Sequence, residues 1–342
     1  MRKLLLVLAI GVILLGACAA PSTSPIPAET PTLNPTETPA PSTTPTLVST
    51  PKPTPTSTPT QVTPTATLVP AAVFKPSLEG RYEVSVEEAV VYGTGGTMDG
   101  GQIELLLDLV IPDTGTDGPR PLFVHIHGGG FVKGTRWPQR DVAEKGWVAA
   151  SIDYRLAGDE PLPGPRVKPF FDAIGGESSS ARDRSVVAAV EDTLVALDYL
   201  LSRADELNID TERIVLKGES AGAYIALIIA YCADKFENSG PRIAAVIDFV
   251  GGISETFCGG GTAIDPGEAA VFMAHGTADE DSTHHRALSI VDGATAAGVT
   301  YELHTIQFPY NGGLEQITTD GRKIHDLMYE FLDRVLYKVK DK

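Results

Sequence analysis

The sequence predicts an α/β domain in which a mostly parallel central sheet carries helices on both faces. Short apolar runs such as Leu122–Ile126 and Val148–Asp153 have the length and composition of buried strands. Longer stretches between such runs, for example Asp183–Arg203, repeat apolar residues at helical spacing. This alternation favours a parallel sheet covered by helices on both sides.

The α/β domain is expected to occupy residues 73–342 and to open with an antiparallel hairpin. Tyr82–Val91 and Ile103–Ile111 are strand-like and flank a glycine-rich turn. Later apolar strands are expected at Ile243–Val250, Ala269–His275 and Tyr301–Phe308, and a final helix at about Thr319–Lys338.

Residues 1–17 are predicted to be a signal peptide. Arg2 and Lys3 precede an apolar run that is short for a bilayer span. The stretch Leu15-Gly-Ala-Cys18 follows it and resembles the lipobox of bacterial lipoproteins, in which the cysteine is lipidated. The resemblance implies lipidation of Cys18 and a protein anchored to the membrane at the bacterial cell surface. An ordinary secretory signal is the alternative.

Residues 18–72 are predicted to be a disordered stalk. The stretch 21–70 holds 14 prolines and 16 threonines, so it has almost nothing to bury and favours extended polyproline II. The whole chain carries 27 Lys+Arg against 44 Asp+Glu, a formal net charge of −17. Such an acidic surface argues against nucleic acid as a partner.

A serine lies at a sharp turn between a predicted strand and a predicted helix. The strand Ile214–Leu216 is followed by Gly218-Glu-Ser-Ala-Gly222, and a helix-forming stretch begins after it. G-x-S-x-G in a strand–turn–helix context is typical of a nucleophilic serine. Glycine is needed there because strand and helix approach closely. Ser220 is therefore the predicted nucleophile.

A second motif, some ninety residues earlier, completes a pattern with the first. His127-Gly-Gly-Gly-Phe131 closes an apolar strand, and its bare backbone N–H groups are suited to bind a ligand oxygen. With Asp153–Ala157 and Gly218–Gly222, it resembles the esterase/lipase branch of the α/β-hydrolase fold, close to hormone-sensitive lipases and carboxylesterases. The resemblance implies an oxyanion hole formed by the N–H groups of Gly129, Gly130 and Ala221.

The resemblance also implies an acid after a late strand. His275-Gly-Thr-Ala-Asp279 is similar to the HGxxD of that family, whose aspartate orients the catalytic imidazole, so Asp279 is the predicted acid. Glu280 and Asp281 beside it are competing candidates. His275 itself is interpreted as a structural histidine.

The expected general base is missing from its usual place. The family has a histidine just beyond the last strand, where this chain has Asn311. An amide cannot take the proton of a serine. The remaining candidates are His284 and His285, at a helix start, and His325, in the final helix, where packing is the favoured interpretation; no base is assigned.

Two features are left with open alternatives. The segment Leu156–Arg182 is predicted to be a long irregular insert whose Phe170 and Phe171 either line an acyl pocket or pack on the domain. Cys232 and Cys258 either form a disulfide or remain buried thiols. No metal-ligand spacing is present, and no metal site is expected.

These patterns predict a serine carboxylesterase that needs no metal or organic cofactor. Its substrate is expected to be a small-molecule or carbohydrate-linked ester, and the oligomeric state is left open. One alternative is a catalytically degenerate α/β-hydrolase that binds a ligand at the cell surface, suggested by Asn311. A serine peptidase on the same fold is a weaker alternative, because HGGG is typical of ester hydrolysis.

Overall fold

The computed structural model describes residues 73–78, 82–115, 118–233, 240–253, 258, 263–276, 284–306, 318 and 320–337. All of these belong to one unit that spans Thr67–Lys342. The predicted signal peptide 1–17, the lipidation site Cys18 and the predicted stalk 18–72 lie outside the described residues, so those assignments stay predictions.

The described elements alternate between strand and helix as the sequence predicts. The strands are β1 Glu83–Gly96, β2 Gln102–Asp113, β3 Arg120–Ile126, β4 Val148–Ile152, β5 Ile209–Glu219, β6 Ala245–Phe249, β7 Ala270–Gly276 and β8 Tyr301–Ile306. The α-helices are α1 Arg140–Ala143, α2 Lys168–Ala173, α3 Ala181–Ser202, α4 Ala204–Leu207, α5 Ala221–Tyr231, α6 His284–Ala297 and α7 Ile324–Tyr337. Across this described part of the chain, no helix has both the length and the apolar character that a membrane span requires.

Within the described residues, the strands form one sheet in the order β1-β2-β4-β3-β5-β6-β7-β8. β1 pairs antiparallel with β2, and β2 antiparallel with β4, which confirms the predicted entry hairpin. All pairings from β4 through β3 to β8 are parallel. The predicted fold class, a mostly parallel sheet with flanking helices, is confirmed.

The strand order reverses between β3 and β5, and this brings two motifs together. β4 lies on one side of β3 and β5 on the other. The chain therefore leaves β3 towards one edge of the sheet and then returns past β3 towards the other edge. In open α/β sheets, ligands bind at such a point, beyond the carboxyl ends of the strands. Ile126 pairs with Gly218, so the residues after each are neighbours.

Each face of the sheet carries its own apolar layer. One layer joins alternate strand residues such as Val124 and Leu216 to the buried sides of α3, α5 and α6. The other joins Phe123 and Val215 to α1 and α7. Side chains of a strand alternate between faces, so each buried strand supplies both layers.

The final helix begins later than the sequence predicts, at Ile324 rather than near Thr319. A turn occupies part of the difference: the Thr318 N–H donates to the Arg322 carbonyl over 2.9 Å, and Gly321 has a φ of 83°. The helical dihedrals therefore start only after this turn.

The predicted irregular insert contains short helical segments. It holds α2 and three single 3-10 turns, at Ala157–Asp159, Pro165–Val167 and Gly176–Ser178. Phe170 and Phe171 are both buried in the layer that contains α3. Of the two alternatives for these rings, packing on the domain is the one observed.

The two cysteines of the domain are bonded to each other. Cys232 follows α5, Cys258 follows β6, and a disulfide joins them across a separation of 26 residues. This resolves the alternative that the sequence leaves open.

Candidate active site

Ser220 lies at the tip of a tight turn between β5 and α5. Its backbone has φ 48° and ψ −114°, a strained conformation for a residue with a side chain. The Ser220 N–H donates to the Phe249 carbonyl over 2.8 Å, and the Ser220 carbonyl accepts from Ala223 and Tyr224. These bonds hold the serine in place despite the strain.

The two flanking glycines are required by close backbone contacts. A Cβ at Gly222 would lie 2.0 Å from the Ile126 carbonyl oxygen, and one at Gly218 would lie 2.2 Å from the Ala223 nitrogen. No side chain fits such gaps. The G-x-S-x-G spacing thus follows from the packing of α5 on the ends of β3 and β5.

The glycine loop after β3 lies directly against this turn. A Cβ at Gly128 would be 2.8 Å from the Glu219 carbonyl oxygen and 3.5 Å from the Ser220 Cβ. Gly129 has a φ of 109°, and its carbonyl accepts from the N–H groups of Val132 and Lys133, which turns the chain back. The loop is therefore held beside the serine by its own backbone.

The three amides of the predicted oxyanion hole are free to bind a ligand. Nothing in the described part of the chain accepts a hydrogen bond from the N–H groups of Gly129, Gly130 or Ala221. Ala221 is the first residue of α5, where an N–H has no partner within the helix and the helix dipole favours negative charge. The arrangement suits an oxygen that develops negative charge next to Ser220.

His127 supports the glycine loop from behind. Its Nδ1–H donates to the Gly128 carbonyl over 2.7 Å, and its ring stacks on Tyr154 with centroids 4.3 Å apart. The Tyr154 hydroxyl donates to the His127 carbonyl over 3.0 Å. Burial lowers the pKa of His127, which favours the neutral ring, and raises the pKa of Tyr154, which keeps it a donor.

Charged side chains fix the loop that follows β4. The Arg136 backbone N–H donates to Asp153 over 2.7 Å, and its guanidinium binds both Asp153 and Asp108. Arg155, only 1% exposed, donates to Asp192 at 2.6 Å and to Glu191 at 2.7 Å. Glu191 and Asp192 therefore have a structural role.

A buried aspartate–histidine pair that the sequence does not predict joins β6 and β7. The His275 Nε2 and the Asp248 Oδ2 are 3.1 Å apart, and neither side chain is exposed to solvent. The other Asp248 oxygen accepts the Gly251 N–H over 2.7 Å. His275 is thus structural, as predicted. Asp248 gave no signal in the sequence because it stands inside an apolar strand without a motif.

The predicted acid and the residue in place of the base, Asp279 and Asn311, lie outside the described residues. His325 lies 3.5 Å from Asp141 and packs against the ring of Tyr329, which agrees with the packing interpretation. His304 contacts Glu302 and the ring of Phe272. His284 begins α6, five residues after Asp279, and its Nε2 is enclosed without a hydrogen-bond partner among the described residues.

The described residues contain no cluster of three or more metal-ligating side chains. Among the described residues, backbone amides of the glycine loop and of α5 lie beside Ser220. The chemistry that they favour is stabilisation of an oxyanion.

Known proteins resemble this arrangement in sequence and in fold. The BD-FAE family model matches residues 107–166 and 177–257. Esterase LipI of Mycobacterium tuberculosis is 30% identical over 128 residues, which are 36% of this chain and 32% of LipI. The non-reducing polyketide synthase pkbA of Emericella nidulans is 28% identical over 46% of this chain, and the chain spans only 6% of that synthase.

Among solved structures, native esterase 2 of Thermogutta terrifontis has a TM-score of 0.54 at 20% identity, over 79% of this chain and 98% of that one. The protein therefore has the α/β-hydrolase fold. Over about a third of its length, its sequence is similar to that of an esterase and of a lipase. The match to the family model is interrupted at 167–176, where α2 lies, and ends before Asp279 and Asn311.

Proposed function

We propose that the protein is a serine carboxylesterase that works through an acyl-enzyme on Ser220. The observation that carries the proposal is the contact between the strained serine turn and the glycine loop, with three unpaired amides beside the serine. Its similarity to an esterase and to lipases supports the reaction class.

The proposed reaction is an acyl transfer in two halves. The Ser220 hydroxyl attacks an ester carbonyl, a base takes its proton, and the carbonyl oxygen becomes an oxyanion held by Gly129, Gly130 and Ala221. Each such donor contributes roughly 3 kcal/mol to the transition state. The tetrahedral intermediate then expels the alcohol, and water hydrolyses the acyl-enzyme.

In this proposal Asp279 orients the base. His284 is the first candidate for that base, because it follows Asp279 closely along the chain and its Nε2 has no hydrogen-bond partner in the part of the chain that the structure describes. His285 and His325 are the alternatives; His325 already lies near Asp141.

The proposed location is the bacterial cell surface. A lipid on Cys18 and a stalk over residues 18–72 would hold the domain away from a bacterial membrane, where small-molecule or carbohydrate-linked esters reach it. The Leu15-Gly-Ala-Cys18 sequence and the proline- and threonine-rich composition support this.

The test is hydrolysis of 4-nitrophenyl acetate by the full chain, compared with Ser220→Ala. We expect the variant to lose about three orders of magnitude in kcat/KM or more, because the nucleophile is gone while the amides remain. Ser202→Ala, an exposed serine at the end of α3, is the matched control. In fractionated cells, Cys18→Ala should move the activity from the membrane to the soluble fraction.

Two outcomes would contradict the proposal. Turnover that survives in Ser220→Ala would exclude this serine as the nucleophile. No turnover by the natural chain, with activity appearing in Asn311→His, would identify a silenced hydrolase whose role is ligand binding. If the natural chain is active, His284→Gln decides whether His284 is the base.

A further inference from the structure

An exposed arginine lies against the proposed oxyanion loop. Arg182 is in the first turn of α3, and its Nε–H donates to the Gly130 carbonyl over 3.2 Å. A Cβ at Gly130 would be 3.9 Å from the Arg182 Nη2, so the guanidinium stands directly over that glycine. With Nε–H bound to the loop, the two terminal nitrogens remain as donors.

No carboxylate pairs with Arg182 within the described residues, unlike the arginines around it. Arg184, two residues on, is buried and binds Glu160, and Arg155 binds Asp192 and Glu191. The neighbouring Asp183 accepts a hydrogen bond from the Ser180 hydroxyl over 2.7 Å. Among the described residues, the terminal nitrogens of Arg182 therefore have no ion-pair partner.

Two more cations near the site lack an ion pair in the part of the chain that the structure describes. Lys133 is exposed, and its backbone N–H closes the turn at Gly129. Arg286, on α6, lies over the ring of Tyr224 at 5.3 Å, one helical turn beyond Ser220. Three cations without an ion pair among the described residues thus lie near the serine, in a chain whose net charge is −17.

We propose that the site prefers esters that carry a carboxylate, and that Arg182 binds this carboxylate. This inference rests on the proposed hydrolysis at Ser220. A guanidinium matches a carboxylate with two parallel N–H donors, and a charged hydrogen bond is stronger than a neutral one. Because Arg182 stands over Gly130, the bound carboxylate lies close to the ester carbonyl held in the oxyanion hole. Lys133 and Arg286 add positive charge nearby.

The test compares two esters with acyl chains of equal length, the monoanion mono-4-nitrophenyl glutarate and the neutral 4-nitrophenyl pentanoate. The measured quantity is the ratio of their kcat/KM values for the full chain. We expect Arg182→Gln to lower this ratio about tenfold, the effect of one charged hydrogen bond. Arg182→Lys should retain part of it.

Arg242→Gln is the matched control. Arg242 is exposed, has no ion-pair partner in the described part of the chain, and precedes β6 at the opposite edge of the sheet. The same ratio in Arg182→Gln as in the natural chain would overturn the inference and leave the proposed esterase standing. So would an equal fall in Arg242→Gln, because the effect would then reflect net charge.

A binding measurement separates the inference from the proposed activity. Monomethyl glutarate is titrated calorimetrically into Ser220→Ala and into Ser220→Ala with Arg182→Gln. Binding that weakens about tenfold in the double variant supports the inference even if the natural chain hydrolyses nothing. Equal affinity in both variants contradicts it.

Discussion

The carboxyl edge of the sheet has two halves that are built differently. In the first half, beyond β3, β4 and β5, charged side chains tie the loops together, as where Arg136 bridges Asp108 and Asp153. In the second half, at the ends of β6 and β7, the side chains of Asp248 and His275 form a buried pair. The first half also holds the serine turn and the glycine loop.

The difference reflects what each half supplies to the proposed reaction. The first half supplies backbone N–H groups, whose positions depend on a rigid loop. Its charged side chains hold that loop in place by hydrogen bonds and ion pairs. The second half is expected to supply side chains, an acid and a base, from loops. The family model matches residues 107–166 and 177–257, which include β6, and does not reach β7 or β8.

The largest expected effect is on stability, from breaking the buried ion pairs of the first half. Arg155→Met removes the partner of Asp192 and Glu191 and leaves buried carboxylates unpaired. We expect the free energy of unfolding to fall by about 3–5 kcal/mol. Urea denaturation of the full chain measures it.

Two further variants give that experiment its contrast. Arg166→Met breaks an ion pair with Asp198 that is open to solvent, and should cost about 1 kcal/mol or less. Arg155→Met with Asp192→Leu should recover much of the loss, because one buried charge is gone. If Arg155→Met and Arg166→Met lower the free energy of unfolding equally, the buried ion pairs of Arg155 contribute no more to stability than an exposed one.

The second expected effect concerns the second half, where a covalent bond joins α5 to the chain after β6. Cys232→Ser combined with Cys258→Ser should lower the free energy of unfolding by about 3 kcal/mol, because the open chain regains the entropy of a loop of 26 residues. The measurement is denaturation of the natural chain and the double variant. If dithiothreitol destabilises the natural chain and the double variant equally, the loss does not come from the disulfide.

The sequence predicts the first half of the edge better than the second for a physical reason. Gly218 and Gly222 are required by backbone contacts, and HGGG by a loop that turns back on itself, so local sequence carries both. The hairpin and the parallel strands follow from apolar runs. Asp248 carries no local signal, since its partner His275 is 27 residues away and the two meet only through the pairing of β6 with β7.

Long-range partners explain the other omissions. The sequence around Arg155 does not predict its partner Asp192, because Asp192 lies on α3, 37 residues later, and meets Arg155 only in the folded chain. The rings of Phe170 and Phe171 were equally compatible with a pocket and with the core, because burial depends on which surface the insert meets. The late start of α7 depends on the turn at Thr318, which overrides helical spacing.

The smallest expected effect is a dependence of stability on pH that originates in the first half. Burial and the nearby Lys217 lower the pKa of His125 well below its usual value, and burial lowers the pKa of His127. The unfolded chain binds protons at these histidines below about pH 6.5, whereas the folded chain does not until lower pH. Stability is therefore complete above about pH 6.5 and falls as the pH drops, by at most ~1.4 kcal/mol per pH unit for each histidine.

His125→Gln isolates one of these protons, because an amide can keep the 3.1 Å contact that the ring makes with the Ser151 hydroxyl. The free energy of unfolding is measured between pH 5 and 8 for the natural chain and the variant. We expect the variant to have the shallower slope below pH 6.5 and the same slope above pH 7.5, where histidine is neutral in both states. Parallel curves throughout would show that His125 binds its proton in the folded chain, and the first half would then hold a buried charge beside Lys217.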